Sequence, residues 1–152
     1  MKSSFDYLTI IISVFALTFS VWQFFCERIR ARKEATIHSF DELEADESVI
    51  YLLGLSKREI ETILEAKKRD NIDNDEWFRI SKALALIEHF AVGVNNKIYD
   101  LKILNSMAGN KMIDTYDKSV NIIKYKRKDS EKNYSEFESM VNSLKNYRRK
   151  HK

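Results

Sequence analysis

From Tyr7 to Cys26 the chain runs for twenty residues without a charged side chain. Coiled as an α-helix, such a run is about 30 Å long at 1.5 Å per residue, the thickness of a bilayer's hydrocarbon core. It predicts a transmembrane span. A cleaved leader would have a shorter apolar core, a more basic start and a small-residue cleavage site. Here Lys2 is almost alone before the run, and Trp22, Gln23, Phe24 and Phe25 stand at its end. The span is therefore expected to be retained. Arg28, Arg30, Arg32 and Lys33 follow it closely, so the positive-inside bias puts the amino terminus outside and the rest of the chain in the cytoplasm. These four side chains are also expected to touch the anionic inner leaflet, each worth about 1 kcal/mol near the surface.

Within the run, Thr9, Ser13, Ala16, Ser20 and Gln23 recur at intervals of four and three, which keeps them on one helix face. Lipid provides no hydrophobic drive for helices to associate. Association in a membrane rests on close packing of small residues and on interhelical hydrogen bonds worth roughly 0.6–2 kcal/mol each. The register predicts an oligomerisation seam. Serine and threonine bonding to their own helix backbone is the plainer account of the same residues.

The fold class expected is all-α: the N-terminal transmembrane helix continuing into a cytoplasmic stalk, then a small helical bundle. The chain has no proline and three glycines, too little punctuation for strands joined by tight turns. The divisions are an anchor at 1–27, a helical stalk at 28–45, a helical domain at 46–147 and a basic tail at 148–152. In the stalk Ile29, Thr36, Phe40 and Leu43 form an apolar stripe. Ser56 with Glu59 reads as a capping box opening a helix over about 56–69 that buries Ile60, Ile63 and Leu64. Asp73 and Glu76 are expected cap partners for the longest helix of the domain, with Trp77, Ile80, Leu84, Ile87, Ala91 and Val94 on one face. Asp100 caps a short helix ending at Met107, Gly109 interrupts, and Ile113, Tyr116, Val120 and Ile123 stripe the next helix. Tyr134, Phe137, Val141 and Leu144 mark the last one.

Charge is uneven. Residues 34–76 hold thirteen acidic and five basic side chains, whereas 124–152 hold ten basic and four acidic. The two segments should attract one another, within one chain or head to tail between copies. The basic tail, Arg148, Arg149, Lys150 and Lys152, would otherwise be free to touch lipid.

Reaction chemistry is not expected. Glu34, His38 and Glu42 share a helix face, but two carboxylates and one imidazole read better as an exposed charged face than as a metal site. His89 and Glu88 point in different directions. There is no phosphate-cradling glycine loop, metalloprotease helix or nucleophile elbow. Glu88, Asp100 and Arg127 lie in apolar helical neighbourhoods and are candidates for a buried polar network, which would position helices. The stretches "KYKRKDSEKNY" and "KNYRRKHK" mix basic side chains with tyrosines, yet a net charge of +3 argues against nucleic-acid binding. No cofactor is expected. Cys26, the single cysteine, reads as an apolar filler.

The segment "ALIEHFAVGVNNKIYDLKILNSMAGNKMIDTYDKSVNIIKYKR", followed by "YSEFESM", resembles the bacterial family known as domain of unknown function 4760. The resemblance is carried by Glu88, Ala91, Gly93, Ile98, Asp100, Gly109, Tyr116, Ile123 and Arg127, with "RARKEAT" after the span. It implies a small bacterial inner-membrane protein with one N-terminal span and a cytoplasmic helical domain. Some relatives resemble components of defence against phage. The expected function is thus non-enzymatic: a membrane-anchored homo-oligomer, or a holder of a cytoplasmic protein partner, in a defence or signalling system. The alternatives are a pore-forming effector built from the spans and a membrane-tethered nucleic-acid binder.

Overall fold

In this computed structural model residues 2–71 and 73–151 are described, with side chains from Tyr7 onward except Leu8. The Lys2 side chain and Lys152 lie outside them. The described residues form six helices and no strand: α1 (Lys2–Ala45), α2 (Glu47–Gly54), α3 (Lys57–Lys68), α4 (Asn74–Asn95), α5 (Leu101–Lys126) and α6 (Ser135–Lys150).

Helix α1 runs 44 residues because nothing in it breaks a helix. Its apolar half is exposed on every side, with Phe15 at 72% and Trp22 at 67%, while Phe40 near its end is 2% exposed. This separates α1 from the core helix of a water-soluble fold, whose apolar residues would be covered. The helix is long and apolar enough to cross a membrane. From Arg32 onward it is a packed member of the bundle rather than a free stalk, burying Thr36, Phe40 and Leu43. Ile29, expected on that stripe, stays 51% exposed.

The core lies between α1, α2, α4, α5 and α6, with α3 packed on α5. Asp46 alone links α1 to α2 and caps it, its side chain accepting from the Ser48 N–H at 2.8 Å. The sequence pattern did not reveal α2, because eight residues carry too little periodicity. Buried Val49 and Leu52 hold it against α4. The capping box of α3 forms as expected: Ser56 accepts from the Glu59 N–H, and Glu59 accepts from the Ser56 N–H at 2.7 Å. At α4 the cap is Asp73 on the Asp75 N–H. Glu76 instead accepts from the Tyr51 hydroxyl at 2.5 Å, which pushes the phenol pKa up to about 12.

Two boundaries differ from expectation. Gly109 does not interrupt: α5 runs unbroken for 26 residues and exceeds α4, which has 22. Gly109 is buried at a point where Arg148 crosses; a Cβ there would lie 2.6 Å from Nη2 of Arg148. An interior glycine costs about 1 kcal/mol of helix propensity, less than α5 recovers by burying residues on both sides of it. The other difference is the terminus. Helix α6 continues to Lys150, so Arg148, Arg149 and Lys150 are helical rather than a tail, and the His151 ring stacks on Tyr147.

Candidate functional site: two faces of α1

At 3.6 residues per turn the directions of Thr36, Phe40 and Leu43 define the bundle-facing side of α1, and Thr9, Ser13, Ala16, Ser20 and Gln23 point roughly opposite. All five are exposed in the single chain. Ser13 donates to the Thr9 carbonyl and Ser20 to the Ala16 carbonyl, each at 2.8 Å, and off-register Thr18 bonds Val14 and Phe15 in the same way. The hydroxyl protons are thus satisfied within the helix. Gln23 differs: its amide has no hydrogen-bond partner among the described residues. An amide left without a partner in an apolar medium would cost several kcal/mol.

The four basic residues after the apolar run have unequal surroundings. Arg30 donates to Glu34 one turn along, at 2.7 Å on an exposed face. Arg32 lies on the bundle side and donates to Asp100 at 2.8 Å; its Nε is buried with no hydrogen-bond partner among the described residues. Arg28 and Lys33 are exposed.

Asp100 belongs to a junction that pins the α4–α5 loop onto α1. Its carboxylate accepts from the N–H groups of Lys102 and Ile103, capping α5, and its own N–H donates to Thr36 Oγ1 at 2.7 Å. Thr36 in turn donates to the Arg32 carbonyl. Burial pushes the Asp100 carboxyl up, but the Arg32 guanidinium and the two backbone N–H groups outweigh it and hold the carboxyl below its ordinary range. Beside it, Ser39 donates to the Tyr99 hydroxyl, and the Tyr99 ring stacks on Phe90 at 5.0 Å. That ring lies over Gly93, where an added Cβ would come within 2.3 Å of it. The contact explains a glycine inside α4. Lys97 turns the chain with a left-handed φ of 59°, and the N–H groups of Ile98 and Tyr99 both donate to the Gly93 carbonyl.

Glu88 and Arg127 serve a different place. Helix α6 starts at Tyr134 with φ 61° and no side-chain cap of its own. Glu88 reaches across from α4 and accepts from the N–H groups of Glu136 and Phe137, at 3.1 and 2.7 Å, satisfying donors a helix start leaves open. Arg127 donates to the Asn133 and Tyr134 carbonyls and to Glu138. The three candidates for one buried network are therefore split: Glu88 and Arg127 fasten the start of α6, Asp100 fastens the loop to α1, and no hydrogen bond joins any two of them among the described residues. Buried Lys118, which the sequence reading passed over, donates to the Leu53 and Leu55 carbonyls at the end of α2.

No group of three or more metal-ligating side chains occurs among the described residues. Glu34 is paired with Arg30, leaving His38 beside Glu42 at 3.5 Å on an exposed face. The acidic and basic segments form no ion pair with each other among the described residues. Glu44 pairs with Lys111, and Asp46 with Lys82 at 2.8 Å. In the basic segments Lys126 lies over Trp77 and Lys128 over Tyr125, while Arg148 donates to Asn105 at 2.5 Å and also to Asn110.

These features define an all-helical protein in which one N-terminal helix, fit to cross a membrane, is continuous with a small bundle. The chain belongs to the family described as a domain of unknown function, DUF4760, which matches residues 10–144 and so takes in both the apolar half of α1 and the bundle. No curated protein and no solved structure matches it.

Proposed function

We propose that this chain is a non-enzymatic, single-pass protein of the bacterial inner membrane, with the bundle in the cytoplasm, that self-associates through the seam on α1. The observation that carries this reading is the opposition of the two faces. With the bundle on one side of α1 and the small residues on the other, spans approach one another while their bundles stay outside the contact. Because Ser13 and Ser20 already donate to their own backbone, association draws mainly on close packing along Ala16 and the serines. Gln23 supplies the interhelical hydrogen bond, worth roughly 1–2 kcal/mol. A bundle displayed on such an oligomer suits a scaffold for a cytoplasmic protein partner, and a role in defence against phage rests on the family resemblance alone. The exposed basic side chains are read as lipid contacts rather than nucleic-acid contacts.

Crosslinking of the full-length protein in native membranes tests this. Oligomers are expected for the unaltered chain, reduced most by Gln23→Leu and further by adding Ser13→Leu and Ser20→Leu. Thr18→Leu, on the bundle-facing side, is expected to change nothing. Monomers throughout, or equal loss with Thr18→Leu, would refute the seam. Depolarisation of cells expressing the protein, abolished by the same seam substitutions at constant protein level, would favour the pore-forming alternative.

A further inference from the structure

A groove of about 620 Å³ lies between α1 and the α4–α5 loop on the bundle side, lined by Phe25, Arg28, Ile29, Arg32, Lys97 and Ile98 among others. Three of these residues are cationic and three apolar; Arg32 is paired with Asp100, which leaves Arg28 and Lys97 as the charges open to a ligand. Ile98 is 58% exposed, Phe25 57% and Ile29 51%. A mobile loop could fold such an isoleucine away, but this one is held on both flanks: by the Gly93 carbonyl, and by the Tyr99–Ser39, Asp100–Thr36 and Asp100–Arg32 bonds. The fold thus presents an isoleucine and a lysine, side by side, against the end of the apolar helix.

Their depth follows from the helix rise. Cys26 ends the uncharged run, and Arg32 lies about 9 Å further along the axis at 1.5 Å per residue. The polar headgroup layer is about 5–8 Å thick on each side of the hydrocarbon core. Phe25 is therefore at the edge of the hydrocarbon, Arg28 about 3 Å into the headgroup layer and Arg32 at its outer side, and the groove brings Lys97 beside them. In water the combination of exposed Ile98, Ile29 and Phe25 around a cluster of positive charge is unfavourable on both counts. In the boundary layer of a bilayer it is matched on both.

We propose that this groove seats the phosphate headgroup of an anionic phospholipid of the leaflet where α1 leaves the membrane, with Ile98 inserted beside its acyl chains. The inference rests on α1 crossing the bilayer but not on self-association, because the groove begins at Phe25, beyond the last seam residue, Gln23. The bundle is then held to the membrane at two points: by the covalent span and by the loop. Its orientation to the bilayer plane is set by the second. The sequence places residues 97 and 98 some seventy positions from the span, so only the folded chain brings them to this depth.

The test uses the full-length protein, with Cys26→Ser, reconstituted in phosphatidylcholine nanodiscs containing phosphatidylglycerol. Single cysteines replacing Phe15, Ile98 or exposed Phe78 carry an environment-sensitive fluorophore, read with lipid-bound and aqueous quenchers. Lipid-phase quenching at 15 and 98 with aqueous quenching at 78 is the expected result. Aqueous quenching at 98 with lipid quenching at 15 overturns the docked loop while leaving the span intact, and aqueous quenching at both overturns the span as well. Retention of phosphatidylglycerol, measured by native mass spectrometry, is expected to weaken about fivefold for Lys97→Gln and again for Arg28→Gln, from the roughly 1 kcal/mol each charge contributes. Lys33→Gln removes a neighbouring charge, one residue beyond Arg32, that lies outside the groove. Retention unchanged by Lys97→Gln, or lowered equally by Lys33→Gln, would show diffuse attraction to the membrane and no site.

Discussion

The two halves of α1 are one uninterrupted helix, uncharged from Tyr7 to Cys26 and rich in charge from Glu27 onward, and they obey opposite rules. Between Tyr7 and Ile29 the large apolar side chains are exposed all round; between Thr36 and Leu43 they are buried on one side only. In water the first half would be an aggregation surface. The difference teaches that the surroundings, not the helix, change along α1: the bundle leaves the first half uncovered and packs the second, so identical substitutions should have unlike consequences.

The largest effect should come from truncating the packed half. Phe40→Ala removes a fully enclosed ring that packs edge-on against Phe90 and is expected to destabilise the bundle by about 3–5 kcal/mol. Phe19→Ala, in the exposed half, should leave the melting transition of the bundle in detergent unchanged. If the two melts shift alike, the division of α1 is wrong.

Next comes the junction between the halves. Asp100→Ala deletes the cap of α5, worth about 0.5–2 kcal/mol, together with a charge-assisted hydrogen bond worth about 1.5–3 kcal/mol. An overall loss of about 2–4 kcal/mol is expected, reduced from the full sum because Arg32 is 41% exposed and screened by solvent. The folded carboxyl titrates lower than the unfolded one, so its stabilisation is present above the ordinary aspartate value of about 3.9 and is lost as pH falls through the folded value. Acid denaturation of Asp100→Asn, compared with the unaltered protein, should therefore show a shallower decline below about pH 4.

Two glycines sharpen the contrast at a lower level. Gly93→Ala drives a Cβ into a tyrosine ring held by a stack and a hydrogen bond, so about 1–3 kcal/mol is expected to be lost on thermal unfolding. Gly109→Ala meets the far end of a flexible arginine and the Asn105 Oδ1 that accepts from it, and its helix-propensity gain of about 1 kcal/mol should offset most of the lost Arg148 contacts. The smallest effect belongs to the exposed ion pair: Arg30→Ala should cost under about 0.5 kcal/mol in a chemical melt.

Much of this fold is legible before any tertiary contact is known. The apolar span, the long helix leaving it, the Ser56–Glu59 box and the stripes on α3, α4 and α6 depend on neighbours three or four residues apart, which sequence order supplies directly. Where reading failed, the deciding partner was distant. Gly109 looks like a break because glycine usually is one, and only the crossing of Arg148 makes it an interior residue. Arg148 itself looks like part of a charged tail until Asn105 and Asn110 receive it. Glu88, Asp100 and Arg127 were recognisable as polar residues in apolar settings, but which helix end each would fasten was not.

The amino-acid sequence alone determined that the chain is helical, that one segment is apolar enough for lipid, and that small residues line one of its faces, because each is a matter of side-chain type at helical spacing. Only the tertiary structure decided on which side of α1 the bundle sits, and so that the seam is left uncovered. It also brought Lys97 and Ile98 to the end of the span. The physical reason is that burial and capping are satisfied between helices: Thr36, Ser39 and Arg32 meet Tyr99 and Asp100 across 60 to 68 positions of chain, and no local pattern encodes that meeting.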